Sequence, residues 1–268
     1  MVGKVVFVGG AGSGDPELIT VKGMKYLQQA DVVIYAGSLV NPDVLRWARP
    51  GAEIHNSASM TLEEIVDIMV TRAREGKLVV RLKSGDASIY GALLEEIIAL
   101  REAGIPYEVV PGGVTAALAA AAVLGIELTL PKVAQTLIIT RASARVTMQG
   151  SIKDFAKAML IGATMAIYTG VHLIDKVVKE LREAGVPDDT PVAVVYKATW
   201  PDQVIIRGTL SDIAEKVKRA RITKDSVIIV GKAADPSILD TPVRSSVYDP
   251  RHTHSFRPKP KINSVDTE

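Results

Sequence analysis

The sequence predicts an α/β fold built in two halves. Short β-branched runs alternate with helical patterns from Val5 to Val110. A Pro111-Gly112-Gly113 break interrupts the alternation, and a second set of strand-like runs begins near Thr136. Strands alternating with helices imply βαβ units and a parallel sheet. The 268 residues suit one large domain or two small ones, and 47% apolar residues supply a substantial core.

In the first half, Val5-Val6-Phe7-Val8 reads as a strand, followed by a glycine-rich turn and a helix ending near Ala30. Val32-Val33-Ile34-Tyr35 is the next strand and residues 52–55 are a weaker one. Thr61 opens a helix: Glu64 completes a capping box, and Met60 with Ile65 suits a hydrophobic staple. Leu78-Val79-Val80-Arg81-Leu82 is a fourth strand, and its small polar turn predicts a helix at once. Ile89, Leu93 and Ile97, with Leu94 and Ile98, make that helix's apolar face. Tyr107-Glu108-Val109-Val110 is the fifth strand.

In the second half, the alanine-rich run 115–123 predicts a buried helix, because small residues allow close packing. Strands follow at residues 136–140, 166–168, 192–195 and 227–230, with residues 203–209 a further strand or hairpin arm. Leu173, Ile174, Val177, Val178 and Leu181 form a helix stripe stopped by Gly185 and Pro187. The expected division is residues 1–114, residues 115–245 and a tail, 246–268. The chain from Asp235 onward is rich in Pro, Ser and charge, and its last dozen residues read as disordered.

Composition narrows the function. A net charge of +2 argues against a nucleic-acid surface. The absence of Cys excludes disulfides, thiolate metal sites and cysteine nucleophiles. No run approaches ~18 apolar residues, so no membrane helix is expected. The N-terminus lacks a signal-peptide pattern, and a cytoplasmic protein is expected.

Two turns are candidate ligand sites, because ligands of open parallel sheets bind beyond the carboxyl ends of the strands. The first, Gly9 to Pro16, does not fit G-x-G-x-x-G: counted from Gly10, the sixth position is Asp15. The second strand ends in Tyr35-Ala36-Gly37-Ser38, without the acidic residue or Arg of a dinucleotide site. No Walker-type loop is present. The second turn, Ser84 to Gly91, has no basic residue after Lys83 and is not a phosphate cradle. Its plain reading is a strand-to-helix connection capped by Ser84 or Asp86. Its functional reading is close ligand approach at Gly85, with Asp86 accepting from a hydroxyl or ammonium group. Arg141, Arg145 and Lys197 lie just beyond predicted strands. They are surface charge or, more sharply, partners for carboxylates on a polyanionic ligand. His55, His172, His252 and His254 lack metal-ligand spacing, so no metal is expected. There is no G-x-S-x-G elbow.

Taken together, several segments resemble the tetrapyrrole C-methyltransferases: Gly10 to Thr20, Arg81 to Asp86 with Ile89-Tyr90-Gly91, and Val114-Thr115-Ala116 after Pro111. Tyr35 to Pro42, Gln135 to Arg141, Val195 to Pro201 and the tail from Val247 to Phe256 are similar to the precorrin-4 C11-methyltransferase subfamily. The likeness runs to about residue 257. It departs by one extra Gly in the first loop and one between Pro111 and Val114, by Ser13 and Ala87 where Pro is usual, and by Ala144 where Gly is usual.

This resemblance implies two α/β domains with S-adenosylmethionine in the cleft between them, in the tetrapyrrole methylase fold. It implies methylation of C11 of precorrin-4 or its cobalt complex on the way to cobalamin, release of S-adenosylhomocysteine, and a homodimer. Ser84, Gly85, Asp86, Ile89 and Tyr90 would hold the methionine part of the methyl donor, and Thr115 and Ala116 would join from the interdomain motif. Tyr168, Thr169, Ala198, Gly231 and Ala233 would hold the adenosine. Gly12, Ser13, Asp15, Tyr35, Ser38 and Arg141 would face the tetrapyrrole. Methyl transfer from a sulfonium needs no metal or strong acid, and orientation supplies up to ~7–11 kcal/mol. The proton acceptor is left open between Tyr35, Tyr90 and a bound water. The competing readings are a methyltransferase for another ring carbon, such as the uroporphyrinogen enzyme, an NAD(P)-dependent oxidoreductase and a non-catalytic tetrapyrrole carrier.

Overall fold

The computed structural model describes residues 2–10, 14–142, 148–240 and 245–249, together with Thr253, Ser255 and Arg257. Residues 258–268, Gly12, Ser13, Arg145, His252 and His254 lie outside the described residues.

The first domain contains β1 (Lys4–Val8), α1 (Val21–Leu27), β2 (Val32–Tyr35), β3 (Glu53–Asn56), α2 (Leu62–Arg74), β4 (Leu78–Leu82), α3 (Leu93–Glu102) and β5 (Tyr107–Val110). Its sheet has the order β3-β2-β4-β1-β5, with every pair parallel. Residues 5–8 of β1, an inner strand, are fully buried, as expected of a parallel strand covered on both faces. α1 and the 3-10 helix Pro42–Trp47 cover one face, and α2 and α3 cover the other.

The second domain contains α4 (Ala116–Leu124), β6 (Thr136–Arg141), α5 (Ile152–Ala156), β7 (Ala163–Tyr168), α6 (Ile174–Glu183), β8 (Pro191–Tyr196), β9 (Val204–Thr209), α7 (Ile213–Arg219) and β10 (Ser226–Val230). The sheet order is β6-β7-β10-β8-β9. Only β6 and β7 pair in parallel; β10 runs antiparallel to both neighbours, and β8 and β9 form a hairpin. α4 packs on one face through Ala117, Ala120 and Ala121, and α5, α6 and α7 cover the other.

Most local expectations hold. Thr61 Oγ1 accepts from Glu64 N–H at 3.3 Å and Glu64 Oε2 from Thr61 N–H at 2.7 Å, completing the capping box. Ile174, Val177, Val178 and Leu181 are the buried stripe of α6. The first helix stops at Leu27 rather than near Ala30. α5 and α7, of 5 and 7 residues, are too short for periodicity to reveal them.

α3 overturns an expectation. It starts at Leu93, so Ile89 lies in the preceding turn. Leu94 and Ile98 are 68% and 45% exposed, whereas Glu96 and Leu100 are buried. The reason lies in β4, whose alternation turns Arg81 toward α2 and α3 along with Val79. An apolar face pressed on that charge would leave it unpaired, so the helix presents Glu96 with Leu93, Ile97 and Leu100.

Candidate functional site

The carboxyl ends of β1, β4 and β5 meet backbone against backbone. Gly10 N–H donates to Gly85 O at 2.5 Å. Gly113, at φ 136°, fills the remaining space: a Cβ there would lie 2.7 Å from Gly10 N and against Gly85 O. Only glycine fits that conformation and that gap. This crossing leaves the turn after β4 lined by main chain, with Thr115 Cα 3.1 Å from where a Cβ on Gly85 would stand.

The turn itself is longer than a simple strand-to-helix connection. Asp86 Oδ1 accepts from Ser88 N–H at 2.8 Å and from Ser88 Oγ at 2.5 Å, closing an Asx turn. Neither Ser84 nor Asp86 caps α3; the residue before that helix is Ala92, left-handed at φ 48° and without a side-chain cap. Tyr90 is left-handed too, at φ 54°. Such non-glycine outliers cluster at ligand sites. Here they follow the candidate turn.

A buried charge network stands behind the turn. Glu96 accepts from Arg81 Nε at 3.3 Å and from Lys83 Nζ at 2.5 Å, and all three side chains are buried. Lys83 Nζ also donates to Gly91 O at 2.9 Å. Arg81 Nη1 donates to Ser57 Oγ at 3.1 Å, and Ser57 Oγ donates to Tyr35 O at 3.1 Å. The network therefore ties the end of β2 to the end of the candidate turn. Burial depresses the Lys83 ammonium below the ordinary lysine range, and the neighbouring Arg81 charge adds to that, against the pull of Glu96.

Across the cleft, the second domain contributes rings and hydroxyls. The Tyr168 hydroxyl lies 2.7 Å from Thr115 Oγ1 and accepts from Ala117 N–H at 3.0 Å, so the end of β7 secures the start of α4. The Tyr90 and Tyr168 rings stack at 5.6 Å between centroids, tilted by 57°. Arg141, the last residue of β6, sits 5.5 Å over the Tyr90 ring. Burial raises the Tyr90 phenol above the usual tyrosine value despite the Arg141 charge, so it keeps its proton at neutral pH and is poorly suited as a base.

The structure thus brings together Ser84, Gly85, Asp86, Ile89, Tyr90, Thr115, Ala116, Tyr168, Thr169 and Arg141, with Ala198 packed against the same apolar cluster. Thr169 is exposed and left-handed at φ 50°. Asp15 N–H reaches Thr199 Oγ1, Tyr35 is half-buried at the end of β2 and Ser38 is exposed two residues beyond Ala36. Gly231 and Ala233 do not join them. They follow β10, which runs antiparallel to β7 and β8, so they stand at the other end of that sheet, roughly 15 Å of strand away. Gly231 N–H donates to Pro191 O, and Ala233 is fully buried. Lys197 is already paired with Asp202 at 2.7 Å, whereas Arg141 has no carboxylate partner among the described residues. His55 bonds Glu53 at 2.7 Å, and no group of metal-ligating side chains occurs among the described residues.

Arg81, Lys83, Glu96 and Ser57 were not expected at the site. The available signal was Arg81 itself, a charge interrupting an otherwise apolar strand.

The tetrapyrrole (corrin/porphyrin) methylase family model matches residues 4–214. A cobalt-precorrin-4 C(11)-methyltransferase of Methanocaldococcus jannaschii is 53% identical over 256 residues, covering 95% of this chain and 96% of that protein. The X-ray structure of a cobalamin biosynthetic enzyme, cobalt precorrin-4 methyltransferase, superposes with a TM-score of 0.82 at 48% identity, covering 87% of this chain and 96% of that one. Uroporphyrin-III C-methyl transferase from Thermus thermophilus, complexed with S-adenyl homocysteine, superposes with a TM-score of 0.73 at 32% identity, covering 86% of this chain and 98% of that one. With its two α/β domains, its glycine crossing and this extent of likeness, the chain belongs to the tetrapyrrole (corrin/porphyrin) methylases.

Proposed function

We propose that the protein transfers the methyl group of S-adenosylmethionine to C11 of precorrin-4 or its cobalt complex, in corrin biosynthesis. The carrying observation is the meeting of the Ser84–Tyr90 turn with the Thr115–Tyr168 pair beside the glycine crossing. The likeness to cobalt-precorrin-4 methyltransferases, at 48–53% identity, favours this ring position over that of the uroporphyrinogen enzymes, at 32–40%.

The residues present fit the methyl donor. Main chain at Ser84 and Gly85 admits close approach, and Asp86 keeps Oδ2 free of the Asx turn for an ammonium group. Ile89 and Tyr90 complete the methionine side. Thr115, Ala116, Tyr168, Thr169 and Ala198 would take the adenosine; Gly231 and Ala233 are left out because of their position. When bound, the donor supplies a methyl group already activated on a sulfonium and leaves as S-adenosylhomocysteine. The protein's own contribution is orientation, worth up to ~7–11 kcal/mol.

On the substrate side, Gly12, Ser13, Asp15, Tyr35 and Ser38 would line the trough, and Arg141 would meet a carboxylate of the tetrapyrrole, to which its planar fork is suited. Protonated Tyr90 serves as a donor and stacking surface, which leaves Tyr35 or a bound water to accept the substrate proton. The reading includes a division at residues 114/115 and a tail from 246, supported by sheet limits at Val110 and Val230. It also includes a cytoplasmic homodimer. No described helix is long and apolar enough to cross a membrane, and Leu94 and Ile98, one turn apart on α3, expose an apolar face of the kind a second copy covers.

Calorimetric titration with S-adenosylhomocysteine tests the reading. Binding near micromolar, abolished by Gly85→Val, is expected; no binding, with NADH bound instead, would overturn it. Mass spectrometry and NMR of the product from precorrin-4 should show one new methyl group, on C11.

A further inference from the structure

The first glycine loop is held from both domains. On the second domain's side, Thr199 Oγ1 accepts from Asp15 N–H at 3.1 Å, a contact spanning 184 residues of sequence. Trp200 lies against Gly14, which is left-handed at φ 73°; a Cβ there would fall 2.6 Å from Trp200 N and closer still to the indole Cδ1. On the first domain's side, the buried Asn41 amide donates to Gly14 O at 2.6 Å, and Trp47 Nε1 donates to Pro16 O at 3.2 Å. Upstream, Gly10 is bonded to Gly85. The loop is therefore pinned on either side of residues 11–13.

The turn that reaches over from β8 is itself held under strain. Lys197 and Thr199 have φ 45° and 69°, and for a β-branched residue such as Thr199 that is a genuine outlier. The conformation is over-determined by its surroundings. Gln203 Oε1 accepts from Thr199 N–H at 2.7 Å, Asp225 O from Lys197 N–H at 2.9 Å and Lys197 O from Trp200 N–H at 3.0 Å. The Lys197 ammonium pairs with Asp202 and lies 5.0 Å over the Trp200 ring. Strain maintained in this way marks a functional segment.

We infer that residues 199–203, beyond Ala198 of the proposed adenosine side, are a positioning strap, in which Thr199 and Trp200 fix the glycine loop and so set how the tetrapyrrole edge lies relative to the donor methyl. The inference rests on the proposed role of that loop as a wall of the tetrapyrrole trough. Thr199 and Trp200 are positioning residues, acting through Gly14 and Asp15. Loosening them changes recognition of the tetrapyrrole while leaving the methyl donor's turn after β4, with its own Asx turn and charge network, as it was.

The test compares Thr199→Val, Thr199→Ser and Asn41→Ser. Serine at 41 can still cap the Asp43 N–H that Asn41 Oδ1 accepts at 3.0 Å, but is too short to reach Gly14 O. Thr199→Val and Asn41→Ser should each raise KM for precorrin-4 at least fivefold, with Kd for S-adenosylhomocysteine within twofold of wild type. Thr199→Ser should restore wild-type behaviour. The double variant should be little worse than the poorer single one, because both act through one loop. An unchanged KM, or a parallel loss of S-adenosylhomocysteine affinity, would overturn the strap. If the wild-type protein methylates no precorrin-4, the trough reading fails separately. Hydrogen exchange at the Asp15 amide then decides the strap: protection lost in Thr199→Val supports it, and unchanged protection overturns it.

Discussion

The two sheets meet the cleft with different materials. The first domain brings backbone, with a layer of buried charge behind it: Gly10 hydrogen-bonded to Gly85 with Gly113 packed against both, braced by Arg81, Lys83 and Glu96. The second brings side chains, with Tyr168, Arg141, Thr199 and Trp200 standing at the ends of β6, β7 and β8. Topology explains part of the difference. In the all-parallel sheet every strand delivers its carboxyl end to one edge, so several main-chain turns converge there. In the mixed sheet β10 points away, and the cleft is met instead by side chains from β6, β7 and the turn after β8. A backbone crevice suits a ligand that must approach closely, whereas rings and a guanidinium with no carboxylate partner among the described residues suit a large, carboxylate-bearing one.

Breaking the charge layer is the most severe way to test that contrast. Glu96→Gln leaves two buried cations without a counter-charge, and should cost the first domain about 3–5 kcal/mol in urea unfolding. Adding Lys83→Met should recover part of it. A loss below about 1 kcal/mol would mean that the network does not brace the turn.

On the other side of the cleft, Tyr168→Phe removes the hydroxyl that holds Thr115 and Ala117 while keeping the ring beside Tyr90. The expected loss is about 1 kcal/mol of stability, together with roughly tenfold weaker S-adenosylhomocysteine binding. Unchanged affinity in calorimetry would remove the tyrosine from the proposed donor site.

The smallest effect should come from a charge cluster away from the cleft. Lys22, Tyr26 and Lys4 hold the Glu108 carboxyl down to about 2, against an ordinary 4.5. A depressed carboxylate stabilises the fold above its unfolded value, and that contribution disappears as pH falls from about 4.5 toward 2. Glu108 is 30% exposed, so solvent screening reduces the contribution to about 1 kcal/mol. Glu108→Gln should therefore be less stable than wild type at pH 7 and indistinguishable from it near pH 2. A gap persisting in acid would assign the effect to packing.

Features encoded over a few neighbouring residues could be read from the chain alone. β2, β4 and β5 lie where their apolar runs lie, the capping box at Thr61 forms, and the α6 stripe is buried as spaced. The glycine-bearing turns also announced the cleft, because positive φ and close approach leave few other residues possible. The face of α3 could not be read, since it depends on Arg81 and Lys83 meeting Glu96 across 15 and 13 residues. Nor could the position of Gly231 and Ala233, which follows from the direction of β10 rather than from anything local to them. The contact between Asp15 and Thr199 spans 184 residues and leaves no periodic trace. Local sterics and periodicity are written into the sequence, so strands, caps, tight turns and family membership come from it. Strand direction, charge pairing and the closing of one domain on the other are long-range choices, and they settle which of those residues face the cleft.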